Sequence, residues 1–254
     1  VGVRIGAHVP SNHPLEEASK RDADVVQIFL SNPHQWRPPL QRADAETLRN
    51  AEIPIYVHAP YLINVVSASL RVRNSSMRLL AETVRAAEGV GAMGVVVHGG
   101  HATGGATFEE GIERWEGALE SFDSTVPILI ENSAGGDSAM ARSVDDLARL
   151  WESIGDLGVG FCLDTCHSWA AGEDLESLVS RVLSVTGRID LVHANDSRDS
   201  FGSRRDRHAN LGNGRIPPEL LVHVIRGAAA HIVVETPEGA EAQAADIAWI
   251  RARL

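Results

Sequence analysis

Nine histidine and carboxylate side chains fall where short apolar runs stop, or in the loops just beyond them. His58 ends one run and His98 the next, followed by Glu131 and Asp164; His193 lies near the end of a seventh run, and Glu235 closes the last. His167 follows Asp164 by three residues in LDTCHSW. Asp206 and His208 form D-R-H, a spacing of two that puts both side chains on one side of an extended segment. Imidazole and carboxylate donors together suit zinc, manganese or iron better than magnesium or calcium. Nine donors exceed the needs of one four- or five-coordinate ion, so they predict a multinuclear cluster with Glu131 and Asp164 placed to bridge. One histidine after a strand is an ordinary hydrogen-bonded residue. Six such strand ends resist that reading, because buried unpaired carboxylates are costly unless a cation compensates.

Residues so far apart meet only if the runs are strands of common polarity. The runs Val3–His8, Val25–Phe29, Ile55–His58, Val95–His98, Ile128–Glu131, Val159–Asp164, Leu191–Asn195 and Ile232–Glu235 are short, continuous and β-branched, as strands buried on both faces are. Amphipathic stretches alternate with them. In Ser75–Val90, Met77, Leu80, Ala81, Val84 and Ala87 predict a helix with one dry face. Thr107-x-x-Glu110 and Ser143-x-x-Asp146 read as helix N-caps with reciprocal carboxylates. Eight strands and about eight helices predict an α/β TIM (β/α)8 barrel, a single domain over residues 1–254, with every strand C-terminus facing one mouth. A doubly wound open sheet is the alternative, but no G-x-G-x-x-G follows the first run.

Composition is that of an ordinary globular chain, with 44% hydrophobic and 22% charged residues. The longest nearly apolar stretch, Val90–Val97, is far short of the roughly 20 residues of a membrane span, and no secretory signal is visible. Cys162 and Cys166 make no disulfide framework and suit a reducing compartment, so a cytoplasmic protein without membrane contact is expected. C-x-x-x-C flanks Asp164, but with no second cysteine pair Cys162 reads as a small buried hydrophobe and a thiolate site is set aside. The net charge of −11 argues against a broad electrostatic hold on nucleic acid, although it misleads where bound metal consumes the acids.

The basic residues are not spread evenly. Arg71 and Arg73 follow the third run, and Arg198, Arg204, Arg205, Arg207 and Arg215 fill the segment after the seventh, beside D-R-H. Arginine forks pair with phosphate, and Gly202, Gly212 and Gly214 would admit a close backbone, so this segment reads as a phosphate-binding loop. Tyr61 and Leu62, just past His58, would present a ring and an aliphatic wedge able to stack on or part bases. His8 and Gln27 end the first two runs and are expected to support the donors from behind. His13, His34 and His101 fall in loops at the mouth; His223 and His231, far from it, read as structural.

The chain resembles the endonuclease IV family of apurinic/apyrimidinic (AP) endonucleases. The matching segments are HAPYLIN (58–64), VVHGGH (96–101), IENSAGG (130–136), FCLDTCHSWAAG (161–172), HANDSRDSFGSRRDRHANLGNG (193–214) and VETPE (234–238), in family order, with IGAHV of the first run also fitting. The resemblance implies three zinc ions per chain, with manganese an alternative at one site. His58, His98 and Glu131 would hold the first; Glu131 would bridge to a second completed by Asp164, His193 and Glu235; His167, Asp206 and His208 would hold the third. It implies hydrolysis 5′ to an abasic site in double-stranded DNA, leaving a 3′-hydroxyl and a 5′-deoxyribose phosphate, with Glu131 orienting or deprotonating the nucleophile and 3′-end processing as an accompanying activity. Tyr61 and Leu62 match the pair that enters the minor groove. NPHQW carries His34 where relatives often have a DNA-entering arginine, and the loop at Asn12–Leu15 is shortened, so groove contacts differ. With no long exposed apolar helix, a monomer is expected. A sugar isomerase or epimerase would share the barrel and a Glu/Asp/His/Glu metal set, but it leaves His167, D-R-H and the arginine loop without a role. A damage-binding module without catalysis would be favoured by a missing donor, and none is missing.

Overall fold

The apolar runs form strands, and eight of them pair in parallel into a closed barrel in a computed structural model that describes residues 2–254. In chain order the elements are β1 (Ile5–His8), α1 (Pro14–Lys20), β2 (Val26–Phe29), α2 (Ala45–Arg49), β3 (Ile55–His58), α3 (Leu70–Gly89), β4 (Gly94–His98), α4 (Phe108–Glu120), β5 (Ile128–Glu131), α5 (Val144–Ile154), β6 (Gly160–Asp164), α6 (Thr165–Ala171), α7 (Leu178–Thr186), β7 (Leu191–His193), β8 (Asp196–Ser197), β9 (His208–Ala209), α8 (Pro218–Ala228), β10 (His231–Val234) and α9 (Gly239–Arg251). The barrel runs β1 to β7 and closes through β10 onto β1, while β8 and β9 form a separate antiparallel pair. This is the TIM barrel that the alternation of runs predicts, and it excludes the open sheet.

Side chains alternate across a strand, and here one parity packs outward under the helices while the other fills the interior. Val25, Tyr56, Val96, Leu129, Cys162, Leu191 and Val233 form that inner apolar layer, all buried. Gly6 takes the corresponding place on β1, where a Cβ would lie 1.7 Å from the carbonyl oxygen of Val25, so only glycine fits. Two residues further along the same strands the parity repeats, at His8, Gln27, His58, His98, Glu131, Asp164, His193 and Glu235. The donors are aimed into the mouth by strand register alone.

Both expected capping boxes form, at Thr107–Glu110 and Ser143–Asp146. Trp115 of α4, fully buried, donates from Nε1 to Gly99 O at 2.8 Å and ties that helix to the loop after β4. Helix α3 starts earlier than the apolar stripe suggests, at Leu70 with Ser69 as N-cap, because its first turn is exposed and leaves no hydrophobic period. Arg71 and Arg73 therefore sit on a helix rather than in a loop, and Arg73 donates to Ser67 O at 2.8 Å. No helix among the described residues is long and apolar enough to cross a membrane.

Candidate metal centre

Parallel pairing sets Phe29 against His58, His98 against Glu131 and Asp164 against His193 across neighbouring strands. The result is four groups whose donor atoms lie within 4.8 Å of one another, three of them made of imidazoles and carboxylates alone: His58, His98 and Glu131; Glu131, Asp164, His193 and Glu235; His167, Asp206 and His208. The nine donors read from the sequence come together, and Glu131 belongs to two groups. Its carboxylate is fully buried. Oε2 lies 3.3 Å from His58 Nε2 and 3.2 Å from His98 Nε2, while Oε1 lies 3.1 Å from His193 Nδ1 and 3.3 Å from His167 Nδ1.

The surrounding protein selects which ring nitrogen is left free. His58 Nδ1 donates to Ala59 O at 2.7 Å and His167 Nδ1 to Asn132 O at 2.8 Å, which leaves both Nε2 atoms as acceptors facing the centre. His193 is held the other way round: Nε2 donates to Gln27 Oε1 at 2.9 Å, so Nδ1 faces Glu131 and Glu235. Gln27 also donates to Glu235 Oε1 at 2.7 Å and lies 2.9 Å from His8 Nδ1, so Gln27 and His8 are the supporting groups expected of them. The buried Nε2 atoms of His167 and His208 have no hydrogen-bond partner although both lie close to Asp206 Oδ1, at 3.2 and 3.1 Å. Two buried imidazole nitrogens converging on one carboxylate oxygen make a site that a cation fits, in place of the protons they carry without it.

Charge balance points the same way. Burial pushes the Glu131 carboxyl up, but His193, His98 and His167 outweigh it and hold the group well below the ordinary carboxylate range. In Asp206 burial is likewise outweighed, by His167 and His208. Burial lowers His208, yet Asp206 and Asp164 push it up to about 9, and His167 rises for the same reason beside Asp164, Asp206 and Glu131. The carboxylates are ionised and call for positive charge, the state in which they bind metal.

Several positioning residues carry no signal in spacing alone. Asn132 accepts from Asp164 N at 2.7 Å and donates to Asp164 O, fixing the strand end that becomes the N-cap of α6. Asn195 donates to Asp164 Oδ2 at 2.7 Å and accepts from Glu235 N at 2.8 Å, joining β6 to the end of β10. Asp196, fully buried, accepts from the backbone N–H of Gly212, Gly214 and Ile216 at 3.1, 2.9 and 3.0 Å, and so pins the segment that returns Asp206 and His208 to the mouth. This corrects the expected role of two glycines. The N–H groups of Gly212 and Gly214 are spent on Asp196, and a Cβ on Gly214 would lie 2.2 Å from that carboxylate.

The arginine segment is exposed but internally paired: Arg204 to Asp137 at 2.5 Å, Arg207 to Asp199, and Arg205 to Asp199 at 3.7 Å. Tyr61 is 46% exposed and lies nearly parallel to His98, ring centres 5.8 Å apart, with exposed His34 5.5 Å away; Leu62 is half-buried. Cys162 packs in the inner layer as expected. Cys166 also lies within donor distance of Asp164 and His208, and burial, reinforced by Asp164, pushes its thiol up to about 12. His223 and His231 are bonded to backbone groups of Glu176 and Arg4 away from the mouth.

Comparison with known proteins places this geometry. The family model of the xylose isomerase-like TIM barrel matches residues 15–253. A Mycobacterium tuberculosis protein named as endonuclease 4 is 54% identical over 249 residues, covering 98% of either chain. The crystal structure of endonuclease IV from Thermus thermophilus superposes with a TM-score of 0.85 at 32% identity over 98% of both chains. A D-tagatose 3-epimerase-like protein reaches 0.80 at 18% identity, over 98% of this chain and 96% of its own, a likeness of fold alone. The chain belongs to the endonuclease 4 family of xylose isomerase-like TIM barrels.

Proposed function

We propose that this chain is a metal-dependent DNA repair endonuclease that hydrolyses the phosphodiester 5′ to an abasic site in duplex DNA, leaving a 3′-hydroxyl and a 5′-deoxyribose phosphate. It acts as a monomer whose residues 1–254 make one catalytic unit, in the cytoplasm with its substrate. What carries this reading is the convergence of three donor groups at an open mouth, two of them sharing Glu131. His58, His98 and Glu131 would hold one zinc ion, Asp164, His193 and Glu235 with Glu131 a second, and His167, Asp206 and His208 a third. Such ions acidify a water molecule and offset charge on a phosphate.

The chain's own groups do the rest. Glu131, ionised among four imidazoles, orients the attacking water by accepting a hydrogen bond from it; held so acidic, it leaves the water's proton to pass to solvent. Gln27 and Asn195 hold His193, Glu235 and Asp164 in fixed orientations, so no rearrangement is needed as the phosphate arrives. Tyr61, flat against His98 with its outer face exposed, and Leu62 beside it present an apolar ridge to the minor groove. An abasic nucleotide has lost stacking and pairing, so turning it out over that ridge costs less than turning out an intact one. Arg204, Arg205 and Arg207 exchange Asp137 and Asp199 for DNA phosphates, and His34 meets the DNA beside Tyr61, 5.5 Å from its ring.

The test is a duplex carrying one tetrahydrofuran abasic analogue, with zinc counted by elemental analysis. We expect about three zinc ions per chain, a nick 5′ to the analogue that chelation abolishes, and at least a ~10³-fold fall in kcat for Glu131→Gln. Metal-replete protein that binds the duplex without nicking it would refute this reading; one manganese per chain and turnover of a ketose would replace it with the epimerase.

A further inference from the structure

At the mouth lies a recess of about 250 Å³ lined on one side by the donors His98, His167 and Asp206 and on the other by groups that hold no metal, His101, Ser133 and the backbone of residues 134–136, with Arg204. Its wall is His101, in the loop after β4. The backbone of His101 is clamped on both sides by Asn64, which accepts from its N–H at 3.2 Å and donates to its carbonyl at 2.9 Å, and by a bridge to Ala139. Its ring, by contrast, has no hydrogen bond to any described residue and faces the recess. Gly136, with φ 94°, lies flat against that ring, where a Cβ would come within 2.7 Å of Cε1 and Nδ1; a Cβ on Gly135 would lie 2.4 Å from Arg204 O. These glycines leave a floor of bare backbone. The N–H groups of Ala134, Gly135 and Gly136 donate to no protein group among the described residues. Ser133, 9% exposed overall with its own N–H tied to Ala141 O, makes no side-chain hydrogen bond to a described residue, so its hydroxyl is open to the recess. Two acids lie near the recess: Asp137, 88% exposed to solvent and paired with Arg204, and Asp206, which stands between the imidazoles of His167 and His208.

A run of free backbone N–H groups ringed by a hydroxyl, an imidazole and a guanidinium is a receptor for an anion with several oxygens. We infer that the recess seats a backbone phosphate of the cleaved strand adjoining the one hydrolysed, held by His101, Ser133 and the N–H groups of residues 134–136, with Arg204 at the rim. This rests on the endonuclease reading and makes His101 a substrate-recognition residue that fixes where along the strand the cut falls.

The experiment is a kinetic cycle. Duplexes with one tetrahydrofuran site carry a neutral methylphosphonate at each phosphate flanking the scissile one, singly, and are cut by the wild type, His101→Ala and Ser133→Ala. At one flanking position we expect neutralisation to lower wild-type kcat/KM about tenfold, mainly through KM. Each variant should lose about as much on ordinary DNA and lose little more on that methylphosphonate, with bound metal per chain unchanged. The subsite is overturned if either variant stays within about twofold of wild type, if variant and methylphosphonate losses multiply at every position, or if the variants lose metal. A wild type that nicks no duplex is a different result, since it removes the endonuclease reading itself.

Discussion

Within one barrel, two residues along each strand separate an interior with no ionisable group but Cys162 and Tyr56 from one crowded with acids and imidazoles. The floor layer, Val25, Tyr56, Val96, Leu129, Cys162, Leu191 and Val233, is packed and apolar. The mouth layer on the same strands holds Gln27, His58, His98, Glu131, Asp164, His193 and Glu235. Their backbone pairing is the same continuous ladder, so the difference is one of side-chain chemistry only. The floor gains free energy from burial, whereas the mouth gathers carboxylates that destabilise the fold until cations balance them. Rigidity in the first layer is what lets the second hold its donors without slack.

Three substitutions separate the roles of these layers. Leu129→Ala, under Glu131, should lower unfolding free energy by about 2–5 kcal/mol in denaturant titration while the folded fraction keeps its metal content and kcat. A comparable loss of kcat would mean that the layers are not separable. Gln27→Leu removes the partner of His193 and Glu235 without emptying the space; zinc affinity measured by competition with a chelator should fall about 10–100-fold, with thermal stability of the metal-free chain little altered. The smallest effect belongs to the barrel's other end. Burial and the nearby Arg4 hold the His231 imidazole below its usual value of 6.5, and its Nδ1 accepts from Arg4 N at 3.0 Å. A group depressed in the fold favours it above pH 6.5 and withdraws that support as pH falls through the folded value. His231→Gln should therefore lose stability more gently than wild type below pH 6.5 in acid titrations of the metal-free protein, a slope change smaller than either effect above.

The barrel and six of the nine donors are legible because both follow a period of two: the run lengths announce strands, and those six donors end the inward parity. D-R-H was readable for the same reason, its two residues sharing a face of a short extended segment at β9. Asn132, Asn195 and Asp196 were not, since each acts by hydrogen bonds to residues 16 to 40 positions away and asparagine and aspartate at strand ends look like turn formers. The glycines after β9 suggest phosphate because a glycine reports only that something comes close, here the Trp249 ring at Gly212 and the Asp196 carboxylate at Gly214. The start of α3 was hidden by an exposed first turn that needs no apolar stripe.

Inward parity has an evolutionary consequence. A connecting loop that carries no donor or binding group can grow or shrink by any number of residues, because the closed ladder absorbs nothing from it. Inside a strand the allowed changes are quantised: a single insertion ahead of Glu131 or Asp164 would turn that acid out beneath the helices, and only insertions in pairs would restore it. Homologous chains should accordingly differ freely in the length of their connections while the spacing between each floor residue and the donor above it stays at two.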